Sequence, residues 1–198
     1  MILFIRHGET IWGQQRKNQG ALDSPLTKRG VQQNEINKAI LSRLISFSDS
    51  SLSVYISPSK RSMDTFIQIF GQPAVCRLVI EERIRAVSAG SWDGCSFASI
   101  HAEHPDVPEK GWQFFSIDGE KYNQAAQRAQ SFLADISTPA VIISHGLIGR
   151  VLFGEYLHYD YENALDVRIR QDAVYRFSNH KITELDLDGE EKQLSKLY

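Results

Sequence analysis

Three short stretches carry side chains that packing alone does not ask for: Arg6-His7-Gly8-Glu9-Thr10, Ser57-Pro58-Ser59-Lys60-Arg61 and Ser144-His145-Gly146. A guanidinium presents a planar set of paired donors suited to phosphate or carboxylate, and a histidine is a base or a nucleophile according to its protonation. A glycine lets a ligand or a second backbone approach closely. Two arginines and two histidines facing one spot would repel each other unless an anion sat among them, and a phosphoryl group is the obvious anion. The plainer reading makes Arg6 a surface residue, His7 a satisfied histidine and Gly8 a turn residue.

Positioning elements decide between these readings. Met1-Ile2-Leu3-Phe4-Ile5 and Ala140-Val141-Ile142-Ile143 are short continuous apolar runs, each ending on a His-Gly pair, and both read as central strands of a parallel sheet. Sheets of that kind place ligands at the carboxyl ends of their strands, which would bring His7 and His145 to one ligand. A third run, Leu52 to Ile56, ends at Ser57-Pro58 and leads into a helical pattern from Lys60 to Phe70, so Arg61 reaches the same edge.

The remaining pattern repeats strand, polar turn, helix. Thr27 is an N-cap candidate for a helix running to about Ser46, with Val31, Ile36, Ile40, Leu41, Leu44 and Ile45 on one face. Cys76 to Ile80 reads as a strand, Phe97 to His104 as a short helix, Glu120 to Ile136 as a helix, and Leu147 to His158 as a helix carrying Arg150. The tail, Ala173 to Phe177 and Lys181 to Leu187, reads as an antiparallel hairpin at a sheet edge. The stretch from Pro105 to Gly119, with Trp112, Phe114 and Phe115, is either a loop pinned by aromatic anchors or a lid over a ligand. Trp92 reads as core, and Asp106, Glu109, Asp118 and Glu120 as a solvated acidic face. The alternation argues for an α/β fold in three α/β/α layers, and residues 1–198 show no linker or repeat, so one domain is expected.

Composition narrows the partners. Lys and Arg number 22 against 24 Asp and Glu, so whole-protein electrostatics give no reason to expect nucleic acid or an anionic membrane. Two cysteines make no disulfide framework, no leader precedes the first strand, and no apolar run is long enough to span a bilayer; the cytoplasm is the expected compartment. His101 and His104 have helical spacing, but no Cys or carboxylate pattern completes a metal site, so neither metal nor other cofactor is expected. The oligomeric state is open, a homodimer included.

Five blocks in order resemble the histidine phosphatase superfamily, which includes cofactor-dependent phosphoglycerate mutases and many small phosphatases. They are Arg6-His7-Gly8-Glu9-Thr10; Gln19-Gly20 with Asp23-Ser24-Pro25-Leu26-Thr27, Gly30 and Gln33; Ser57-Pro58 with Arg61 and Thr65; Gly90-Ser91-Trp92-Asp93-Gly94; and His145-Gly146 with Arg150. The resemblance implies a phosphoglycerate mutase-like sandwich with a mainly parallel sheet. It also implies a metal-independent phosphomonoesterase acting on a small phosphorylated metabolite. By the same resemblance His7 becomes a transient phosphohistidine while Arg6, Arg61 and His145 hold the phosphate, and Thr10, Gly13, Gln19, Gly20, Ala86 and Gly146 line the substrate site. His7 must attack as neutral imidazole, with a backbone carbonyl such as that of Gly8 fixing its tautomer.

Three positions depart from the family pattern. Gly13 stands where Asn is usual, Lys17 where Arg is common, and Ile84-Arg85-Ala86 where Leu-Arg-Glu is usual, so the family's proton donor is missing. Glu82, Asp93 or a carboxylate of the 105–119 segment are the substitutes to examine. Mutase-type phosphotransfer and acid-deficient phospho-ligand binding are the alternatives to hydrolysis; the short acidic segment over the site speaks against a mutase.

Overall fold

β1 (Ile2–Arg6) places Leu3, Phe4 and Ile5 in full burial in the interior of a seven-stranded sheet, in a computed structural model that describes residues 1–72 and 74–194. Burial on both faces is what a continuous apolar run demands. On one flank β1 pairs in parallel with β4 (Ala140–Ser144), in the register Leu3↔Val141 and Ile5↔Ile143; beyond it lie β2 (Ser53–Ile56) and β3 (Arg77–Ile80), also parallel. On the other flank the chain turns antiparallel through β5 (Val174–Ser178), β6 (Lys181–Leu185) and β7 (Glu191–Leu194), so the sheet is mixed, in the order β3-β2-β4-β1-β5-β6-β7.

Alternation along the strands sorts the core into two layers. Phe4, Tyr55 and Ile142 pack with residues of α5 (Tyr122–Asp135) and α6 (Gly146–Leu157), whereas Leu3, Ile5, Val54, Ile56, Val141 and Ile143 pack with residues of α2 (Lys28–Leu41) and α3 (Lys60–Phe70). The three α/β/α layers follow from that division.

Several local expectations need correction. Thr27 does cap α2 through its side chain, which accepts from Gly30 N, but the helix ends at Leu41 and continues as tighter turns in which Leu44 and Ile45 still pack on the core. Periodicity does not separate such turns from a helix. Val31 is 39% exposed; the buried stripe of α2 holds Gly30, Gln33, Asn34 and Asn37 ahead of Ile40 and Leu41. Two of those amides bond to loops, Gln33 Oε1 accepting from Glu9 N and Asn37 Nδ2 donating to Gln171 O, while Asn34 Nδ2 donates to Gln68 Oε1 on α3.

α1 (Ile11–Gln14), α7 (Tyr161–Asp166) and β7 were not expected. β7 reads Glu-Lys-Gln-Leu, with no β-branched residue, and exists because β6 offers a pairing edge. Trp92 is half-buried, against Trp112 and the His104 ring at the end of α4 (Phe97–Glu103), so it belongs to a surface aromatic group and not to the core. In the 105–119 segment Trp112 and Phe114 are buried anchors, while Phe115 is half-exposed. Glu120 leaves the acidic face altogether, because its carboxylate forms a two-point ion pair with Arg128.

Candidate active site

From β1 the chain passes to α2 on one face of the sheet, and from the adjacent β4 it passes to α6 on the other. Diverging connections between neighbouring strands open a crevice at their carboxyl ends. A cleft of about 310 Å³ lies there, lined among others by Arg6, His7, Thr10, Gly13, Gln19, Gly20, Arg61, Ala86, His145 and Gly146. All ten residues singled out from the sequence are therefore brought to one cleft.

His7 follows β1 directly, its N–H extending the ladder to Ser144 O at 3.0 Å. Its Nδ1 lies 2.8 Å from Gly8 O, so Nδ1 carries the proton and Nε2 is left with its lone pair. Burial, then the charges of Arg61 and Arg6, push the His7 pKa well below the usual imidazole value, so the ring is neutral. Gly8 must lack a side chain, because a Cβ there would stand 2.3 Å from Gly30 O.

Arg6 is the least compensated charge of the site. Among the described residues its one hydrogen bond runs from Nη1 to Ile169 O at 3.3 Å, and its Nε is buried without a partner. Burial, with Arg150 and Arg61 nearby, lowers its pKa to about 10. Gly146, the first residue of α6, lets the guanidinium lie against the helix start, since a Cβ would sit 3.0 Å from Arg6 Cζ.

Arg61, buried in the first turn of α3, is bound differently. Nε donates to His145 Nδ1 at 3.2 Å, Nη1 to Leu22 O and to Asp23 Oδ1 at 2.6 Å, and Nη2 to Gly20 O at 3.0 Å. Four of the five guanidinium N–H groups are taken, and one remains for a ligand. Arg61 is thus a strut for the 20–23 loop and for His145 as much as an anion donor. His145 N-caps α6 with Nε2 2.6 Å from Ser57 Oγ; because Nδ1 accepts from Arg61, Nε2 carries the proton. Its pKa is also pushed well below normal, by burial first and then by Arg61 and His7. The two imidazoles stand 5.1 Å apart between ring centres.

Thr10 caps α1, and its Oγ1 accepts from Gly13 N and from Gln19 Nε2. Gly20 has φ +50°, and a Cβ there would meet the Asp93 carboxylate. Residues the sequence did not single out also line the cleft, namely Gln171, whose amide holds His7 O at 3.0 Å, Phe97 and Arg16; beside them stand Trp112 of the 105–119 segment and Lys17, both noted from the sequence. The Arg16 φ of +57° was a signal only the fold could reveal.

The substitute acids fail on geometry. Glu82 and the 105–119 carboxylates do not line the cleft, and the Asp93 carboxylate accepts from Asn18, Ala21, Ser88 and Ala89. Among the described residues no group of three or more His, Cys, Asp or Glu is placed to hold a metal ion, and no helix is long and apolar enough to cross a membrane.

An α/β/α sandwich with a cleft at its carboxyl edge, where His7, His145, Arg6 and Arg61 converge, fits a class of phosphoryl-handling proteins. Residues 2–198 match the histidine phosphatase superfamily (branch 1), and the chain belongs to it. A protein of Erwinia tasmaniensis named "Probable phosphoglycerate mutase GpmB" is 25% identical over 91% of this chain and 85% of its own length. Phosphoserine phosphatase 1 of Hydrogenobacter thermophilus is 25% identical over 80% of this chain and 77% of its own. In fold, the α-ribazole phosphatase of Shigella flexneri superimposes with a TM-score of 0.73 at 20% identity, covering 95% of this chain and 96% of that one.

Proposed function

We propose that this protein hydrolyses a small phosphomonoester through a phosphohistidine on His7. The carrying observation is the pairing of a neutral His7, Nε2 unprotonated and Nδ1 tied to Gly8 O, with the uncompensated guanidinium of Arg6 beside it. A phosphate dianion would supply the missing counter-charge. Phosphoryl transfer asks mainly for positioning and charge neutralisation, which fixed guanidiniums provide as metal ions do elsewhere. Nε2 attacks phosphorus, the ester oxygen leaves, and water then releases phosphate and restores the imidazole.

Relatives named as a mutase and as a phosphatase are both compatible with this chemistry. A phosphoserine phosphatase among the relatives, aligned over 80% of this chain, supports the hydrolytic reading. The test is rapid quenching at alkaline pH after mixing with labelled aryl phosphate. Acid-labile label should appear on His7 and vanish in His7→Ala; label on His145, Ser or Asp would refute the assignment.

A further inference from the structure

We infer that the cleft selects phosphoryl donors whose leaving oxygen departs as a stable anion, namely aryl and acyl phosphates and phosphoanhydrides, over simple alkyl phosphates. This rests on the phosphohistidine reading and adds the substrate class to it. As the His7 Nε2–P bond forms, the P–O bond breaks and its electron pair goes to the leaving oxygen. An alkoxide, whose basicity approaches that of hydroxide, needs a proton at that moment. A phenolate (about 10), a carboxylate (about 4) or a phosphate (about 6) does not.

No positioned acid faces that oxygen. The only carboxyl group lining the cleft, among the described residues, is Glu9; its Oε1 accepts from Thr27 Oγ1 at 2.9 Å and its Oε2 faces Arg29 at 3.8 Å, so both of its oxygens are engaged by protein groups. Ala86 contributes a methyl to the wall. His145 spends its one N–H on Ser57 Oγ and accepts from Arg61 on the other side. Glu120, the nearest acid in sequence to the cleft-lining Trp112 and Gln113 that is not solvent-facing, is locked on Arg128.

The rim supplies charge in place of a proton. Arg16 and Lys17 both line the cleft, and among the described residues neither forms an ion pair; the Lys17 ammonium sits 5.8 Å above the Trp12 ring. Arg16 is held in the left-handed region, a conformation seldom adopted by a residue with a long side chain and one that clusters at ligand sites. Two unpaired cations suit an anionic leaving group, and the Phe97–Trp112 wall suits a planar one. A departed phenolate takes a proton from solvent, whereas a carboxylate leaves and stays as the anion. Water then attacks phosphorus, the P–N bond returns its pair to Nε2, and the proton lost from that water passes to solvent.

A leaving-group series measures this directly: substituted phenyl phosphates, acetyl phosphate, pyrophosphate and glycerol phosphate, with kcat/KM read for the native chain, Ala86→Glu and Lys17→Met. For the native chain kcat/KM should fall steeply as the leaving group becomes more basic, with the alkyl ester about 100 to 10,000-fold below the best aryl ester, the range a missing general acid accounts for. Ala86→Glu should raise the ratio of alkyl to best-aryl kcat/KM at least about tenfold. A flat series in the native chain overturns the inference, and so does rapid alkyl turnover that collapses in Lys17→Met, since the ammonium would then be the acid. Label on His7 alongside a flat series overturns the substrate class alone; no label on His7 overturns the hydrolytic reading beneath it.

Discussion

Arg6 and Arg61 are both guanidiniums at one cleft, yet their surroundings give opposite expectations for substitution. Arg6 is half-buried, with its Nε enclosed and unpaired and its pKa lowered, so its charge weighs against the fold. Arg6→Met should stabilise that fold by about 1–4 kcal/mol, as replacement of buried charge by apolar volume often does, while lowering kcat/KM about 100 to 1,000-fold. Arg61→Lys should lose both, because a single ammonium cannot serve Gly20 O, Leu22 O, Asp23 and His145 together. Urea unfolding beside steady-state kinetics checks the pair; equal stability losses in the two variants would contradict the contrast. At this scale the sequence was informative about identity and silent about partnership. Arg-His-Gly and His-Gly at strand ends pointed to the site, but that Arg61 spends four donors on the protein depends on a loop 40 residues away.

Among the elements, the closest approach is between the β1 exit and the start of α2. A Cβ on Gly30 would lie 2.1 Å from Glu9 O, the mirror of the Gly8 contact with Gly30 O. Alanine in place of a helical glycine normally gains about 1 kcal/mol in propensity, whereas forcing atoms into a packed contact costs about 1–3 kcal/mol. Gly30→Ala should therefore be destabilising, and activity should fall further than stability because the backbone displaced is that of residues 8 and 9. A stabilised, fully active Gly30→Ala would show the contact to be slack. The helices and central strands were legible because their apolar runs are buried by the sheet. The α2 face was misplaced because it buries amides: Gln33, Asn34 and Asn37 look polar in sequence and are interior because they satisfy loop backbone and neighbouring amides. β7 and α7 were illegible for a different reason, being formed by the edge and the caps that the rest of the fold provides.

For the molecule as a whole, the two buried histidines couple stability to pH. Both have pKa values depressed well below 6.5, so the unfolded chain binds more protons than the folded one as pH falls below that value. Stability is unaffected by them above about 6.5 and declines below it, by up to about 1.4 kcal/mol per pH unit for each ring. Urea midpoints should drop between pH 7 and 5.5, and His7→Gln with His145→Gln should flatten that drop; an unchanged slope would place the acid sensitivity elsewhere. The order of strands has a consequence for biosynthesis. β1 emerges first but pairs only with β4 and β5, so its first partner residue, Ala140, is translated 134 residues after Arg6 (140 − 6). At about 5–20 residues per second an apolar strand waits on the order of 7 to 27 s without a neighbour. The segment that ends in the candidate nucleophile is therefore also a stretch in need of protection on the ribosome, and the cleft cannot assemble until β4, the His145-Gly146 pair behind it and Gln171 have been made.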